Sequence, residues 1–84
     1  GGEEFAVLLP ATARVPAALV AERARRVVEA RPLGRTVQVR VTVSVGLATT
    51  EDLPSPPSAE ELLRKADAAL YRAKAEGRNR VVVG

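Results

Sequence analysis

Two glycines and two adjacent carboxylates begin the sequence, in the stretch GGEEF. Because glycine has no side chain, Gly1 and Gly2 would let the phosphates of a nucleotide approach the backbone closely. Glu3 and Glu4 can hold Mg²⁺, a hard cation that prefers oxygen ligands and shares its shell with phosphate. A structural interpretation stays open beside this one, since Gly-Gly between two strands also makes a common hairpin turn with its acids in solvent.

Two basic side chains lie four residues apart near the end of the sequence, at Lys74 and Arg78. Cations at this spacing can clamp a diphosphate or triphosphate. They can equally stabilise the C-terminus of a helix, by about 0.3–1 kcal/mol. Asp67 precedes them on the same predicted helix, where we expect a surface ion pair with a neighbouring Arg or Lys.

Two residue types that carry much of protein chemistry are missing, because the chain has no cysteine and no histidine. Their absence excludes disulfide scaffolds, thiolate metal sites, Ser-His-Asp triads and histidine-ligated zinc within this chain. Any acid–base or metal chemistry must therefore use carboxylates.

The balance of charge and apolar residues favours one small globular domain. The 84 residues carry a net charge of +3, and 46% of them are hydrophobic. The basic residues are scattered and only 2% of the chain is aromatic, which argues against a nucleic-acid interface. No apolar run approaches the roughly 20 residues that span a bilayer, so we expect no membrane contact by this segment.

The hydrophobic pattern predicts the elements that must position these side chains. Alternation or apolar runs predict strands at 4–9, 37–45 and 80–83, and helical spacing predicts helices from Pro16 to Ala30 and from Ser58 to about residue 76. Ser58 and Glu61 form a capping box at the start of the second helix. The order strand, helix, strand, helix, strand predicts an α/β fold (an α+β sandwich) with helices on a sheet.

Three motifs together resemble one known family. The stretches GGEEFAVLLP, VTVSVGLA and ADAALYRAKAEGRNR, in this order and at these separations, closely resemble the second half of a GGDEF domain. These domains are diguanylate cyclases, which join two GTP molecules into cyclic di-GMP and release pyrophosphate in bacterial signalling. The resemblance implies a truncated palm-like nucleotide-cyclase fold with a mainly antiparallel sheet, and it covers residues 1–83.

The resemblance also implies roles for individual residues. Gly1 and Gly2 match the glycines that lie along the nucleotide. Glu3 matches a catalytic acidic residue that ligates metal, and Glu4 matches a second acidic position linked to metal binding and activity. The implied cofactor is Mg²⁺, with Mn²⁺ possible as a substitute. Phe5 matches a buried aromatic that anchors the hairpin, and the basic pair matches side chains that contact the triphosphate, Lys74 and Arg78.

Other parts of the family's site are expected before residue 1. They are a further metal-binding aspartate, the residues that recognise guanine and an R-x-x-D inhibitory site. We therefore expect residues 1–84 to be the C-terminal portion of a single domain. This portion should be inactive and poorly stable when it is separated from the rest of the domain. The implied partners are GTP, a second GGDEF domain in a homodimer, and sensory or output domains of a longer chain in the cytoplasm.

Two alternatives remain at this stage. One is a non-catalytic GGDEF-like module that binds GTP or cyclic di-GMP and regulates an attached output domain; the intact pair of glutamates argues against it. The other is a basic nucleic-acid-binding domain, which follows from net charge alone and explains neither the acidic loop nor its glycines.

Overall fold

The structure, a computed structural model, describes residues 4–32, 34 and 36–84. Two helices and two short strands make up its regular elements, in the order α1 (Arg14–Ala30), β1 (Val45–Leu47), α2 (Ala59–Ala75) and β2 (Val81–Val83). A single turn of 3₁₀ helix, Thr50–Asp52, lies between β1 and α2. The predicted mixed α/β class is confirmed.

Helix α1 begins and ends close to the predicted residues. Pro16 lies in its first turn, where a missing N–H leaves no helical hydrogen bond unmade. The helix ends at Ala30, and Arg31 adopts an extended conformation before Pro32. Ala17 is the buried residue of this helix.

Helix α2 confirms the predicted capping box at its start. The hydroxyl Oγ of Ser58 accepts a hydrogen bond from the backbone N–H of Glu61 at 3.3 Å. Glu60 and Glu61 place negative charge in the first turn, and Arg72 and Lys74 place positive charge in the last turn, so both ends complement the helix dipole. Gly77 follows with φ 125°, a conformation that favours glycine.

The predicted strands are only partly present. Residues 4–9 form no strand, and the alternating valines at 37–45 yield one isolated bridge at Val39 before β1 begins at Val45. A strand requires a hydrogen-bonded neighbour, and within the described residues neither stretch finds a continuous one. The prediction of a strand at each stretch was therefore wrong for this structure, whereas the last strand is confirmed as β2.

The two strands that do pair are parallel, so the expected antiparallel pairing is not found among the described residues. Val45 is opposite Val81, and Leu47 is opposite Val83. A parallel pair requires a crossover connection, and α2 supplies it between β1 and β2. Both helices pack on this pair of strands.

Gly46 lets α2 lie unusually close to β1. A Cβ at this position would stand 2.2 Å from the carbonyl oxygen of Ala66 and 2.2 Å from the amide nitrogen of Leu70. No side chain fits at such distances, because both neighbours belong to the helix backbone. Gly46 is therefore a packing contact between β1 and α2.

The buried core of the described residues is small. Its apolar members are Ala17, Ala69 and Ala73, and no large side chain is fully buried. Phe5 is 85% exposed, which contradicts the expectation that it anchors a hairpin from a buried position. An aromatic ring is buried only where other groups cover it, and the segment around Phe5 lies open to solvent. Within residues 4–32, 34 and 36–84, neither helix has the length and apolar character needed to cross a membrane.

Candidate functional site

An ion pair joins the N-terminal segment to the end of α2. The ammonium Nζ of Lys74 donates a hydrogen bond to Oε2 of Glu4 at 3.0 Å, across 70 positions of sequence. Both side chains keep substantial exposure, 38% for Lys74 and 61% for Glu4. The structure thus brings together one acidic and one basic residue that the sequence assigned to a single site.

An open depression of about 220 Å³ adjoins this ion pair. Its walls are Glu4, Asp67, Leu70, Tyr71 and Lys74. Asp67, Tyr71 and Lys74 recur at helical spacing along one face of α2, and Glu4 faces them from the N-terminal segment. Asp67 was predicted to make a surface ion pair; it makes none with the described residues and contributes a carboxylate to this depression instead.

Three of the predicted site residues lie outside the described residues: Gly1, Gly2 and Glu3. Glu4 is the member of the predicted metal-binding pair that the structure describes. Its carboxylate is a suitable hard ligand for Mg²⁺, but one exposed carboxylate supplies only part of a coordination shell. In residues 4–32, 34 and 36–84, no group of three acidic side chains converges on a point where a cation would be held.

Arg78 follows the end of α2 in a left-handed turn. Its φ is 63°, and its backbone N–H donates a hydrogen bond to the carbonyl of Ala73 at 2.9 Å. Lys74 lies one helical turn earlier, so both cations of the predicted clamp lie at the same end of α2. Both residues lie at the helix end where the sequence predicted them, and the helix dipole also favours cations at this end.

A polar network beside this turn escaped the sequence analysis. Arg25, on α1, binds the carboxylate of Glu22 through two hydrogen bonds of 2.7 Å. Its Nη1 also donates to Oδ1 of Asn79 at 2.8 Å. The spacing of Glu22, Arg25 and Glu29 along one helix face was the available signal, but nothing local to α1 indicates a contact with Asn79.

The network strongly favours its charged forms. Hydrogen bonds from Arg25, and then from Arg26, lower the pKa of Glu22 to about 2 from an ordinary value of 4.5. The same carboxylate raises the pKa of the Arg25 guanidinium. The network therefore stays ionised at neutral pH.

The chain matches one protein family and several proteins of known name. Residues 1–80 match the protein family described as "Diguanylate cyclase, GGDEF domain". The chain is similar to the response regulator PleD of Caulobacter vibrioides, with 44% identity over 86 aligned positions that cover 98% of this chain and 18% of PleD. It is also similar to diguanylate cyclase A of Treponema denticola, with 41% identity over 99% of this chain and 22% of that protein.

A third relative, diguanylate cyclase DgcM of Escherichia coli, is 44% identical over 98% of this chain and 19% of its own length. The chain thus spans about a fifth of the length of these curated relatives. The family match includes both the GGEEF stretch and the end of α2 that carries Lys74 and Arg78. On this evidence, the chain belongs to the diguanylate cyclase family of GGDEF domains.

Proposed function

We propose that this chain is the C-terminal portion of an active diguanylate cyclase domain, which condenses two GTP molecules into cyclic di-GMP. The observation that carries the proposal is the contact between Glu4 and Lys74. It joins the GGEEF stretch to the basic end of α2, so a carboxylate that suits a metal ion and a cation that suits phosphate lie side by side. The names of the relatives support the same activity.

The residues of this chain would bind different parts of the nucleotide according to their charge and size. Lys74 and Arg78 would bind the triphosphate and balance its negative charge, while Gly1 and Gly2 would leave space for it beside the backbone. Binding of phosphate by Lys74 would release Glu4 from its present ion pair. Phosphoryl-type transfer depends on such positioning and neutralisation more than on a covalent intermediate, so the lack of histidine and cysteine is no obstacle.

The residues that would hold Mg²⁺ are Glu3 and Glu4, with a further ligand expected before residue 1. When bound, such an ion neutralises charge on the attacking and leaving oxygens. Glu4 fits this use, because its carboxylate is exposed and lies on the depression. We propose Mn²⁺ as a substitute on the same oxygen chemistry.

Condensation of two GTP molecules needs two sites that face each other. We therefore propose that the complete domain acts as a homodimer in which each copy presents one nucleotide. Its place in the cell would be the cytoplasm, where GTP is available, with sensory or output domains elsewhere in the longer chain.

The test uses a protein that carries the complete domain, incubated with GTP and Mg²⁺. Glu3→Ala should abolish cyclic di-GMP synthesis, because the catalytic carboxylate is lost, while leaving the thermal unfolding midpoint unchanged. Liquid chromatography measures the product, and a coupled assay measures pyrophosphate release.

The matched control is Glu60→Ala, which removes an exposed carboxylate from the first turn of α2. It should retain full synthesis. Wild-type turnover by Glu3→Ala would refute the catalytic role. Tight binding of GTP or cyclic di-GMP without turnover by the unaltered protein would instead favour the non-catalytic regulatory module.

A further inference from the structure

The turn that carries Arg78 has an uncommon backbone conformation. Gly77, Arg78 and Asn79 have φ values of 125°, 63° and 47°, so three consecutive residues lie in the left-handed region. Residues other than glycine rarely adopt this conformation, although asparagine does so more readily than most. Contacts from outside the turn must therefore help to hold it.

Asn79 receives such contacts from two other parts of the fold. Its backbone N–H donates to Oγ of Ser44 at 3.2 Å, just before β1. Its side-chain Oδ1 accepts from Arg25 at 2.8 Å, and its Nδ2 donates to Oε2 of Glu29 at 2.5 Å, both on α1. The side-chain amide thus bridges one cation and one carboxylate of the same helix.

Arg25 is well suited to fix this amide. Its side chain is only 14% exposed, and Glu22 holds the guanidinium through two of its nitrogens. The planar guanidinium directs its donors at fixed angles, so anchoring one edge on Glu22 sets the direction of the bond to Asn79. Arg26, one position along, is 73% exposed and contacts Glu22 alone among the described acidic residues.

We propose that Arg25 and Asn79 are positioning residues for nucleotide binding: through them, α1 holds the turn in which Arg78 presents its guanidinium to the triphosphate of GTP. Neither side chain needs to touch the nucleotide. This inference rests on the proposed function for the role of Arg78, and on the hydrogen bonds above for the hold on the turn.

The kinetic test compares Arg25→Met with Arg26→Met in a protein that carries the complete domain. Arg25→Met should raise the KM for GTP about tenfold and change kcat less, as expected when one charge-assisted contact to the substrate is weakened. Arg26→Met should leave the KM unchanged. In an Arg78→Ala background, Arg25→Met should add no further rise, because both substitutions remove the same contact.

A second measurement needs no nucleotide. Amide hydrogen exchange of residues 78 and 79 should be faster in Arg25→Met than in Arg26→Met, because the turn is no longer held from α1. If Arg25→Met does not fold, Asn79→Gly replaces it. Glycine permits the same backbone conformation while removing the bridging amide, and the same changes in KM and exchange are expected.

Equal rises in KM with and without Arg78 would overturn the proposal, since Arg25 would then act independently of that side chain. Unchanged exchange at residues 78 and 79 would overturn it as well. If the unaltered protein makes no cyclic di-GMP, the proposed function fails, while the exchange measurement still decides whether α1 holds the turn.

Discussion

At the scale of single residues, charge organises the surface near the end of α2. Lys74 donates a hydrogen bond to Glu4, and Arg25 donates one to Asn79. Residues on both sides of Arg78 therefore contact distant parts of the chain. The sequence identified Lys74 and Arg78 because their types and spacing carry chemistry. It gave no indication of the contact between Arg25 and Asn79, because these two residues lie 54 positions apart.

The ion pairs of Glu22 with Arg25 and Arg26 predict that the stability of the fold depends on pH. Because the pKa of Glu22 falls to about 2 in the folded chain, its carboxylate stabilises the fold fully above about pH 4.5. This contribution is lost progressively as the pH falls from 4.5 towards 2. Urea unfolding of the complete domain between pH 2 and pH 6 should therefore show a shallower dependence in Glu22→Gln than in the unaltered protein.

The control for this acid dependence is Glu60→Gln, which removes an exposed carboxylate from the first turn of α2. Its unfolding free energy should follow that of the unaltered protein over the same range of pH. Identical curves for Glu22→Gln and the unaltered protein would show that the ion pairs of Glu22 with Arg25 and Arg26 make no net contribution.

At the scale of elements, the helices could be predicted and most of the strands could not. Helix α2 is specified locally, by its capping box at Ser58 and by Gly77 after its end. A strand forms only beside a hydrogen-bonded partner strand, and its own sequence does not specify that partner. The alternating residues 37–45 illustrate this, because they have the correct period and yet pair continuously only from Val45 onward.

Gly46 gives the sharpest prediction for the packing of elements. Gly46→Ala should lower the unfolding free energy of the complete domain by about 3 kcal/mol, since the new methyl group would collide with the backbone of α2. Urea denaturation with linear extrapolation measures this change.

The comparison variant for the packing of α2 is Gly77→Ala, where strain comes from the backbone angle and the nearest atom belongs to a flexible arginine. It should cost less, about 1 kcal/mol. A cost for Gly46→Ala no greater than that for Gly77→Ala would mean that α2 can move away from β1 freely.

At the scale of the whole molecule, the described fold is extended and thinly packed. Its radius of gyration is 14.2 Å, with extents of 52 × 24 × 19 Å. A compact domain of this length would have a radius of about 12 Å. Large apolar side chains at several places remain in solvent, among them Phe5, Val7, Leu8, Leu19 and Val37. This surface supports the proposal that further parts of the domain cover the chain in the complete protein.

The isolated 84 residues should consequently bind the dye ANS, unfold at low urea concentration and make no cyclic di-GMP from GTP and Mg²⁺. The same measurements on the complete domain should give weak dye binding, a cooperative transition and product formation. Sustained synthesis by the isolated chain would contradict the proposal that it holds only part of the active site.

The parallel unit of β1, α2 and β2 also has a consequence for the order in which the chain folds. Its elements are consecutive in the chain, from Val45 to Val83, and the backbone of α2 packs closely against Gly46. Short loops close with little loss of entropy, so this unit can form its contacts before distant segments arrive. We therefore expect this unit to form early in folding, so substitutions within α2 and β1 should slow folding, whereas substitutions in α1 should mainly speed unfolding.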